Sequence, residues 1–429
     1  MSSGSISNKK ARGYLGFLLR SLKYRNYRLY FSGQGISQVG SWIQTIAISW
    51  LVYSMTGSAF ILGFVGFLSQ VPVLFITPFA GVLVDRWNRH RTFIATQTMA
   101  MLQAFVLSAL VLTGKIMLWH IILLSLFIGL VFSFELTVSQ TFIVNIIEKR
   151  EDLGNAIALN SALLNLARLL GPSLAGILIA TAGEGVCFFI NGASYLAVIA
   201  ALLAMRIRPQ PAARKRDLGK ELKEGFLYVF GSLPLRSVIL LQGFITLTGM
   251  PFQVLMPVFV KEILKEGPHA LGFIVGSSGI GAIFATLFLA WRKDVLGLVR
   301  LIPLATGLLG LGLIASALSR LTLLSMFFAF FTGFGAIMQM AAGSTVLQRI
   351  VDDDKRGRVM SIYTIAFWGV YPLGNLLAGS LGNIIGVPNE YILSGVCCLA
   401  GSLVFAARQG SIAADVKQVL SPAGSEAKA

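Results

Sequence analysis

Long apolar runs alternate with short polar segments along the whole chain. Each run approaches or exceeds about 20 residues, the length that an α-helix needs to cross the hydrocarbon core of a bilayer. The pattern predicts twelve transmembrane helices, six on each side of a polar segment near the middle of the chain. The predicted spans cover residues 29–54, 59–84, 92–114, 118–147, 154–181, 186–206, 236–262, 270–292, 299–319, 322–350, 358–386 and 390–408.

The runs predict helices rather than the strands of a membrane barrel. Residues 60–84 and 301–318 are almost continuously apolar, whereas a barrel strand alternates between lipid-facing apolar and inward-facing polar side chains. The bilayer core offers the backbone no water, so only helices or closed barrels span it. The predicted fold class is therefore an all-α membrane protein.

Two stretches of the sequence are copies of one another. Residues 171–183 read GPSLAGILIATAG and residues 374–386 read GNLLAGSLGNIIG, and they align without a gap at an offset of 203 residues in a chain of 429. An offset near half the length indicates a duplicated bundle of helices, an organisation typical of secondary transporters. We therefore predict two pseudo-symmetric six-helix bundles.

The polar segments set the predicted domain boundaries. These are a cytoplasmic N-terminal lead-in at residues 1–28, a first bundle at 29–206, a cytoplasmic linker at 207–235, a second bundle at 236–408 and a disordered cytoplasmic tail at 409–429. Within the linker, residues 217–230 place acidic and basic side chains at helical spacing. This segment predicts a short helix on the membrane surface.

The charge distribution predicts how the helices are oriented. Only 12% of the residues are charged, against about 25% in a typical soluble domain. All but five of the 35 Lys and Arg residues fall on the side that the two termini would share; the exceptions are Lys115, Arg168, Lys261, Lys265 and Arg320. The positive-inside rule then predicts a multi-pass protein of the inner (plasma) membrane with both termini in the cytoplasm.

This topology also decides which partners the basic residues indicate. A net charge of +17 would fit a nucleic acid, but the charges are spread over short loops between membrane spans. We therefore expect no nucleic-acid partner. Basic residues at the membrane surface can instead contact the anionic headgroups of membrane lipids.

The remaining reactive side chains do not converge on a site. Cys187, Cys397 and Cys398 offer no disulfide framework, and the three histidines fall in loops or at helix ends on different faces. An intramembrane enzyme would need convergent catalytic groups at membrane depth. We therefore predict no metal, no cofactor and no enzymatic activity.

The turn after the second predicted span, GVLVDRWNRHR at residues 81–91, carries a motif. A glycine is followed four residues later by an aspartate and then by arginines, a pattern that resembles the signature of the major facilitator superfamily; Asn88 stands where many members have glycine. The resemblance implies that these residues latch the two halves together on the cytoplasmic side. The latch residues are Gly81, Asp85, Arg86, Arg89 and Arg91.

Two further runs narrow the resemblance. Residues 151–176 and 347–379 resemble the drug:proton antiporter branch of the superfamily, which includes macrolide-efflux proteins and the enterobactin exporter. Gly171, Pro172 and Gly176 also resemble the Gly-Pro motif of drug exporters. Because a Gly-Pro step frees carbonyls and bends a helix, this segment is either a structural kink or a pivot of the fifth helix.

Two charged residues, Glu135 and Arg168, fall deep within apolar spans. Each costs at least about 2.5–3.5 kcal/mol at the bilayer centre unless it faces a partner or water. At about 1.5 Å per residue, both lie about 18–21 Å from the cytoplasmic ends of their helices. Our hypothesis is that they pair beside the central cavity and that Glu135 carries a coupling proton; the alternative is a static ion pair that fixes the fourth helix against the fifth.

Polar residues at helical spacing predict a hydrated cavity. The four polar residues of the first helix lie within about 60° of one another, an arrangement that lipid would penalise. The resemblance implies that helices 1, 4, 7 and 10 line the cavity. The predicted lining residues are Gln34, Gln38, Ser41, Thr45, Glu135, Gln242, Thr246, Met250, Gln253, Met338 and Gln339. One acid, several amides and flexible Met side chains suit a bulky amphipathic solute.

These features predict a secondary active transporter that exports an amphipathic small molecule, such as a drug, a macrolide or a siderophore-like compound, by alternating access. We expect a monomer that exchanges its substrate for protons. Two alternatives stay open: a transporter of a lipid-like or metabolite solute without proton coupling, and a membrane sensor or scaffold without transport activity.

Overall fold

The computed structural model describes residues 19–205, 218–292 and 294–420. Within these ranges the chain forms helices and connecting turns, with no β-strand, as the continuous apolar runs predict. The first half contains six long helices: α1 Arg25–Thr56, α2 Ala59–Arg86, α3 Arg89–Leu112, α4 Leu118–Ile146, α5 Arg150–Ala182 and α6 Glu184–Ala204.

The second half is built from shorter and more interrupted helices. They are α7 Leu218–Gly231, α8 Leu233–Thr248, α9 Phe252–Val258, α10 Pro268–Ala290, α11 Val295–Leu318, α12 Thr322–Ile350, α13 Asp353–Thr364, α14 Tyr371–Ile385 and α15 Val387–Leu420. Two π-helical segments continue this path: Phe259–Leu264 extends α9, and Ile365–Gly369 joins α13 to α14.

Ten helical segments of the described chain are long and apolar enough to cross a membrane. The predicted spans 29–54 and 358–386 are not among them. The first corresponds to α1, which carries the polar stripe, and the second to α13 and α14 with the π-helical segment between them. The protein is therefore a multi-pass helical bundle, and the count of twelve spans stays a prediction.

The ends of the described chain differ from the predicted boundaries. Helix α1 begins at Arg25, within the predicted lead-in. Helix α15 continues to Leu420, so residues 409–420 are helical and the prediction of disorder there is wrong. Ile412 and Val416 lie one turn apart and are fully buried, which explains why this Ala-rich segment continues the helix. Residues 1–18 and 421–429 lie outside the described ranges.

The helix ends define two sides of the bundle. On one side, Asp152 at the start of α5 binds Arg20 and Lys23 at 3.0 and 2.7 Å, and Tyr24 donates a hydrogen bond of 2.6 Å to the same carboxylate. The hydrogen bond to Asp152 raises the pKa of the Lys23 amino group, so the ion pair persists at neutral pH. This end, which also carries α7, is termed the linker side, and the opposite end the far side.

The internal repeat is visible in how the helices touch. A Cβ atom added at Gly63 in α2 would lie 2.7 Å from the Cα atom of Gly379 in α14. A Cβ atom added at Gly272 in α10 would lie 2.9 Å from the Cα atom of Gly176 in α5. Gly176 and Gly379 are equivalent positions of the repeat, so the same contact occurs twice with the halves exchanged. This relation confirms two pseudo-symmetric bundles.

The two halves are in contact on the far side. Both glycine pairs lie there, and the Tyr53 hydroxyl donates a hydrogen bond of 3.1 Å to Glu262, while Ser58 donates one of 3.4 Å to Asn383. On the linker side, the hydrogen bonds and ion pairs that the structure describes all join residues of the same half, as in the cluster around Asp152. The described hydrogen bonds between the halves therefore lie on the far side.

Helix α7 presents an apolar face at the linker side. Phe226, Leu227 and Phe230 are exposed, while Glu224 binds Arg358 of α13 at 2.8 Å. An amphipathic helix with exposed aromatic rings fits a position on the membrane surface, which supports the prediction made from the linker pattern.

Candidate functional site

The two halves pack against each other where α5 contacts α10 and where α2 contacts α14. Arg168 in α5 and Tyr371 in α14 are related by the same offset of 203 residues as the repeated glycines, and their side chains lie within electrostatic range of each other. Two equivalent residues that approach each other lie beside the axis that relates them. Arg168 therefore lies beside the pseudo-twofold axis that relates the two bundles.

The guanidinium group of Arg168 is held against an aromatic ring. Its central carbon lies 5.7 Å from the centroid of the Trp42 ring in α1, within the range of a cation–π interaction. A Cβ atom added at Gly279 in α10 would lie 3.0 Å from the Arg168 carbonyl oxygen, so the second half packs directly against this turn of α5. The Arg168 side chain is half-buried and belongs to none of the ion pairs among the described residues.

A polar column on α5 leads to Arg168 from the linker side. Ser161, Asn165 and Arg168 are spaced by four and three residues and therefore share one face of the helix. Ser161 is exposed, and Asn165 donates a hydrogen bond of 3.0 Å to the Ser161 carbonyl oxygen. Lipid would penalise such a column. Ser161, Asn165 and Arg168 therefore form a polar face of α5.

The predicted pair of Glu135 and Arg168 is not formed, and that prediction is wrong. Helix α5 begins at Arg150, earlier than predicted, which places Arg168 about 27 Å from the linker-side end of α5. Glu135 lies about 17 Å from the end of α4 at Ile146. The two residues thus differ in depth by about 10 Å, too far for an ion pair.

Glu135 instead faces the interior of the first half. Gln97 in α3 faces its carboxyl group and is fully buried, although the Gln97 amide forms no well-aligned hydrogen bond in this conformation. The hydroxyl groups of Tyr30 in α1 and Tyr195 in α6 lie within electrostatic range of Glu135. A carboxyl group beside an amide and two phenols, with no basic partner among the described side chains, is suited to exchange a proton.

The predicted polar stripe of α1 divides in the structure. Gln34 is buried, Gln38 and Ser41 are half-buried, and Thr45 is exposed. The hydroxyl groups of Ser41 and Tyr195 lie 3.3 Å apart, and Thr45 donates a hydrogen bond of 2.8 Å to the Ser41 carbonyl oxygen. Part of the stripe, at Ser41, therefore contacts α6, and another part, at Thr45, is accessible.

Most of the predicted cavity residues of the second half are packed inside its bundle. Gln242 and Thr246 in α8 are fully buried and joined by a hydrogen bond of 2.9 Å, and Tyr363 donates one of 2.9 Å to Gln242. The other buried members are Met250, Met338 and Gln339, whereas Gln253 is half-buried. In this conformation Gln242 joins α8 to α13 through Tyr363, and Thr246 is bonded to Gln242 within α8. The lining of a cavity by these residues stays a prediction.

A buried hydrogen-bond network joins three helices of the first half. Gln44 in α1 donates a hydrogen bond of 3.0 Å to Gln103 in α3 and accepts one of 2.8 Å from Asn191 in α6. Gln44 is not among the predicted site residues, although amide side chains within three apolar runs are a visible signal in the sequence. Ser394, the repeat counterpart of Asn191, donates a hydrogen bond of 2.7 Å to the Thr248 carbonyl oxygen in α8. Both halves therefore place a polar contact at this position.

Replacing Gln44 with leucine is expected to destabilise the first half. The change removes a partner of both Gln103 and Asn191, and a buried polar group without a partner costs about 1–3 kcal/mol. Thermal unfolding of the purified protein in detergent, followed by fluorescence, should show a lower midpoint for Gln44→Leu than for the wild type. Thr45→Val removes only a hydrogen bond within α1 and should unfold at the wild-type midpoint. Equal midpoints for the two variants would contradict this role of Gln44.

The predicted latch lies at the turn between α2 and α3. Asn88 is the N-cap of α3 and accepts a hydrogen bond of 3.1 Å from the backbone nitrogen of Arg91, a capping role that glycine cannot fill with a side chain. Arg89 is half-buried. The side chains of Asp85 and Arg86 lie outside the described residues, and the latch stays a prediction.

The Gly-Pro segment of α5 is a packing site. A Cβ atom added at Gly171 would collide with the side chain of Trp42, so glycine allows α5 to approach α1 closely. Gly176 makes the far-side contact with α10, and Pro172 lies inside a continuous helix. Close packing accounts for both glycines, and a pivoting movement at Pro172 stays a prediction.

A buried acid in the second half was missed by the sequence analysis. Glu390 in the first turn of α15 is 2% exposed, and its Oε1 atom lies 2.7 Å from the Ser394 hydroxyl oxygen. The adjacent Tyr391 donates a hydrogen bond of 2.9 Å to the Phe252 carbonyl oxygen, which fixes α15 against α9. Glu390 lies at the boundary of a predicted span, where charged side chains usually reach water. Its burial could therefore not be predicted from the sequence.

Comparisons with known proteins agree with this architecture. The chain matches the family model described as Transmembrane secretion effector over residues 19–418. It is 24% identical over 385 residues to the staphyloferrin A transporter of Staphylococcus aureus (strain NCTC 8325 / PS 47), which covers 88% of this chain and 95% of that protein. It is also 24% identical over 398 residues to macrolide efflux protein A of Streptococcus pyogenes, with 88% of this chain and 96% of that protein covered.

The fold is similar to that of a solved transporter. The crystal structure of a bacterial homologue of the iron transporter ferroportin, in an inward-facing state, aligns with a TM-score of 0.69 at 16% sequence identity. The alignment covers 90% of this chain and 98% of that chain. At this identity the likeness concerns the fold alone.

The family match spans nearly all of the described residues, and it agrees with the helical fold, the internal repeat and the turn between α2 and α3. The relatives named above are transporters and not enzymes. The protein is a multi-pass membrane transporter, and its chain belongs to the transmembrane secretion effector family of the major facilitator superfamily.

Proposed function

We propose that the protein exports an amphipathic small molecule across the cytoplasmic membrane by alternating access, in exchange for protons. The observation that carries the proposal is the doubled glycine contact on the far side, and we propose that the halves separate towards the linker side. Such an interface closes one end of a passage and leaves the other end open. A relative named as an efflux protein supports the outward direction of transport.

The charge distribution supports a cytoplasmic position of the linker side. The basic residues are concentrated in the segments that lie there, including Arg20 and Lys23 beside Asp152, and the positive-inside rule places such segments in the cytoplasm. With this orientation the passage opens to the cytoplasm. An exporter takes up its substrate in this conformation.

The far-side interface is suited to opening and closing. Its glycine pairs bring backbones together without ion pairs, and the hydrogen bonds at its rim, from Tyr53 to Glu262 and from Ser58 to Asn383, are partly exposed. Separating these contacts leaves no buried charge without a partner. The twofold relation lets the same bundles close on the linker side instead, where the residues of the predicted latch would meet the other half.

Glu135 is the proposed carrier of the coupling proton. It lies in the first half beside Gln97, and its carboxyl group can hold and release a proton without moving through the lipid. A change in its charge alters the contact between α3 and α4, the helices that carry these two residues. This proposal replaces the hypothesis of an ion pair with Arg168.

Reconstituted transport tests the proposed function. Liposomes that contain the purified protein and are acidic inside are expected to accumulate members of a panel of cationic, neutral and anionic amphipathic probes, such as ethidium. A protonophore is expected to abolish the accumulation, and protein-free liposomes are the control. Uptake that is indifferent to the pH gradient would favour a transporter without proton coupling. Failure to transport any member of the panel would favour a sensor or scaffold.

A further inference from the structure

Arg168 is a positive charge beside the pseudo-twofold axis without an acidic partner among the described residues. Such a charge inside a membrane bundle is costly unless it faces water or a partner, and Glu135 lies at a different depth. The Trp42 ring covers one face of the guanidinium group. The edge of the group, which carries its five N–H donors, is left for another acceptor.

We propose that this acceptor is the anionic group of the transported solute, a carboxylate, sulfonate or phosphate, so that the exporter selects organic anions. The inference rests on the proposed function and specifies its substrate class. A planar guanidinium group binds a carboxylate through two parallel hydrogen bonds. Arginine also stays charged throughout the physiological pH range, so the site attracts an anion in either conformation.

The surroundings of Arg168 favour an aromatic or apolar body on that anion. Trp42 lies against the guanidinium group from the first half, and Tyr371 approaches from the second half. The Tyr371 ring stacks on Phe367 with ring centroids 6.2 Å apart, and Trp368 lies 6.0 Å from a phenylalanine ring of α4. An aromatic ring of the first half therefore covers the charge, and Tyr371 of the second half, which lies within electrostatic range, belongs to a cluster of aromatic rings.

The position of Arg168 allows one site to serve both sides of the membrane. The polar column of Ser161 and Asn165 leads to it from the linker side, the side on which the proposed function opens the passage. Because Arg168 lies beside the axis between the halves, their movement changes the side to which the same charge is open. An anion bound there can enter from the linker side and leave on the far side without a second site.

The alternative is that Arg168 only fixes α5 against α1 through the Trp42 ring. That role predicts no dependence of ligand binding on the charge of the ligand. Arg292 provides a matched cation–π pair away from the axis, because its guanidinium carbon lies 5.1 Å from the ring centroid of Phe288 and its side chain is exposed at the end of α10.

Equilibrium dialysis of the full-length protein in nanodiscs, with three radiolabelled probes of one ring system, separates the two roles. The probes are 2-naphthoate, 2-naphthamide and 2-naphthylmethylammonium, which are anionic, neutral and cationic. The wild type is expected to bind naphthoate about tenfold more tightly than naphthamide, because a charge-assisted hydrogen bond provides that difference. Arg168→Gln should lose the preference, Arg168→Lys should keep only part of it, and Arg292→Gln should keep all of it.

Three results would overturn the inference: equal binding of naphthoate and naphthamide by the wild type, no binding of any probe, or an undiminished preference in Arg168→Gln. If the Gln variant does not fold, an undiminished preference in Arg168→Lys has the same meaning. Transport distinguishes this inference from the proposed function. Uptake of ethidium without a preference for naphthoate leaves export intact and rejects the anion site, whereas charge-selective binding without uptake of any probe rejects export alone.

Discussion

Valine in place of Gly176 is expected to prevent closure of the far side and to lower transport at least about tenfold. A Cβ atom at Gly176 would lie 2.7 Å from the Pro268 carbonyl oxygen and 3.0 Å from the Cα atom of Gly272. Both of these are backbone atoms, which cannot rotate away as a side chain can. The two halves must therefore move apart to accept even one methyl group, and valine adds two more.

The expected movement can be measured as a distance between the halves. Spin labels at Lys115 in the first half and Leu321 in the second lie on exposed far-side turns, after replacement of the native cysteines. Double electron–electron resonance should show a longer distance in Gly176→Val than in the wild type. Gly154→Val is the matched control on the same helix, because a Cβ atom at Gly154 would meet no atom within 4 Å. Identical distances and transport rates in both variants would contradict the prediction that a side chain at position 176 forces the two halves apart.

The repeat made the twofold relation predictable from sequence, because Gly176 and Gly379 stand at equivalent positions within matching stretches. Their contact partners were not predictable in the same way. Gly63 and Gly272 lie outside those stretches and do not share the repeat offset, so only the structure shows that each meets a repeated glycine of the opposite half. The repeat in the sequence identifies one glycine of each contact, and only the packing of the helices identifies the other.

The predicted charge pair failed because hydropathy places a residue along a membrane helix only within a few residues. The start of α5 at Arg150 instead of residue 154 shifts Arg168 by about 6 Å relative to the helix end. Hydropathy also leaves open which way each side chain points. Glu135 points into the first half, whereas Arg168 lies over the Trp42 ring of α1, within electrostatic range of Tyr371 in the other half. The sequence therefore identified both charged residues within the membrane spans, but not whether they contact each other.

Polar residues within apolar helices raised a similar ambiguity. A glutamine in such a helix faces either a water-filled cavity or a polar group on a neighbouring helix, and its spacing is the same in both cases. Gln242 was predicted to line the cavity but is hydrogen-bonded to Thr246 and Tyr363. Gln44, which joins α1 to α3 and α6, shows the same use of an amide between helices. Only the hydrogen-bond partners seen in the structure show whether such a glutamine lines a cavity or joins two helices.

Glutamine in place of Glu135 is expected to abolish uphill accumulation of the transported probe, with a loss of at least about tenfold. Glutamine has nearly the shape of a protonated glutamate but cannot release a proton, so the protein would behave as if Glu135 were permanently neutral. Exchange of labelled for unlabelled probe across the membrane requires no net proton transfer and should persist. The measurement compares pH-driven uptake with exchange in the same proteoliposomes.

Glu390→Gln is the matched control, because Glu390 is a buried acid of the second half and is hydrogen-bonded to Ser394 of its own helix. It should leave pH-driven uptake near the wild-type level. If Glu390→Gln abolished uptake and Glu135→Gln did not, the proton would be carried in the second half. If neither variant lost uptake, the driving force would have to come from a source other than these two acids. The two halves share a fold by duplication, but Glu135 lies on α4 and Glu390 on α15, which are not equivalent helices. The two variants therefore show whether proton coupling is confined to one half.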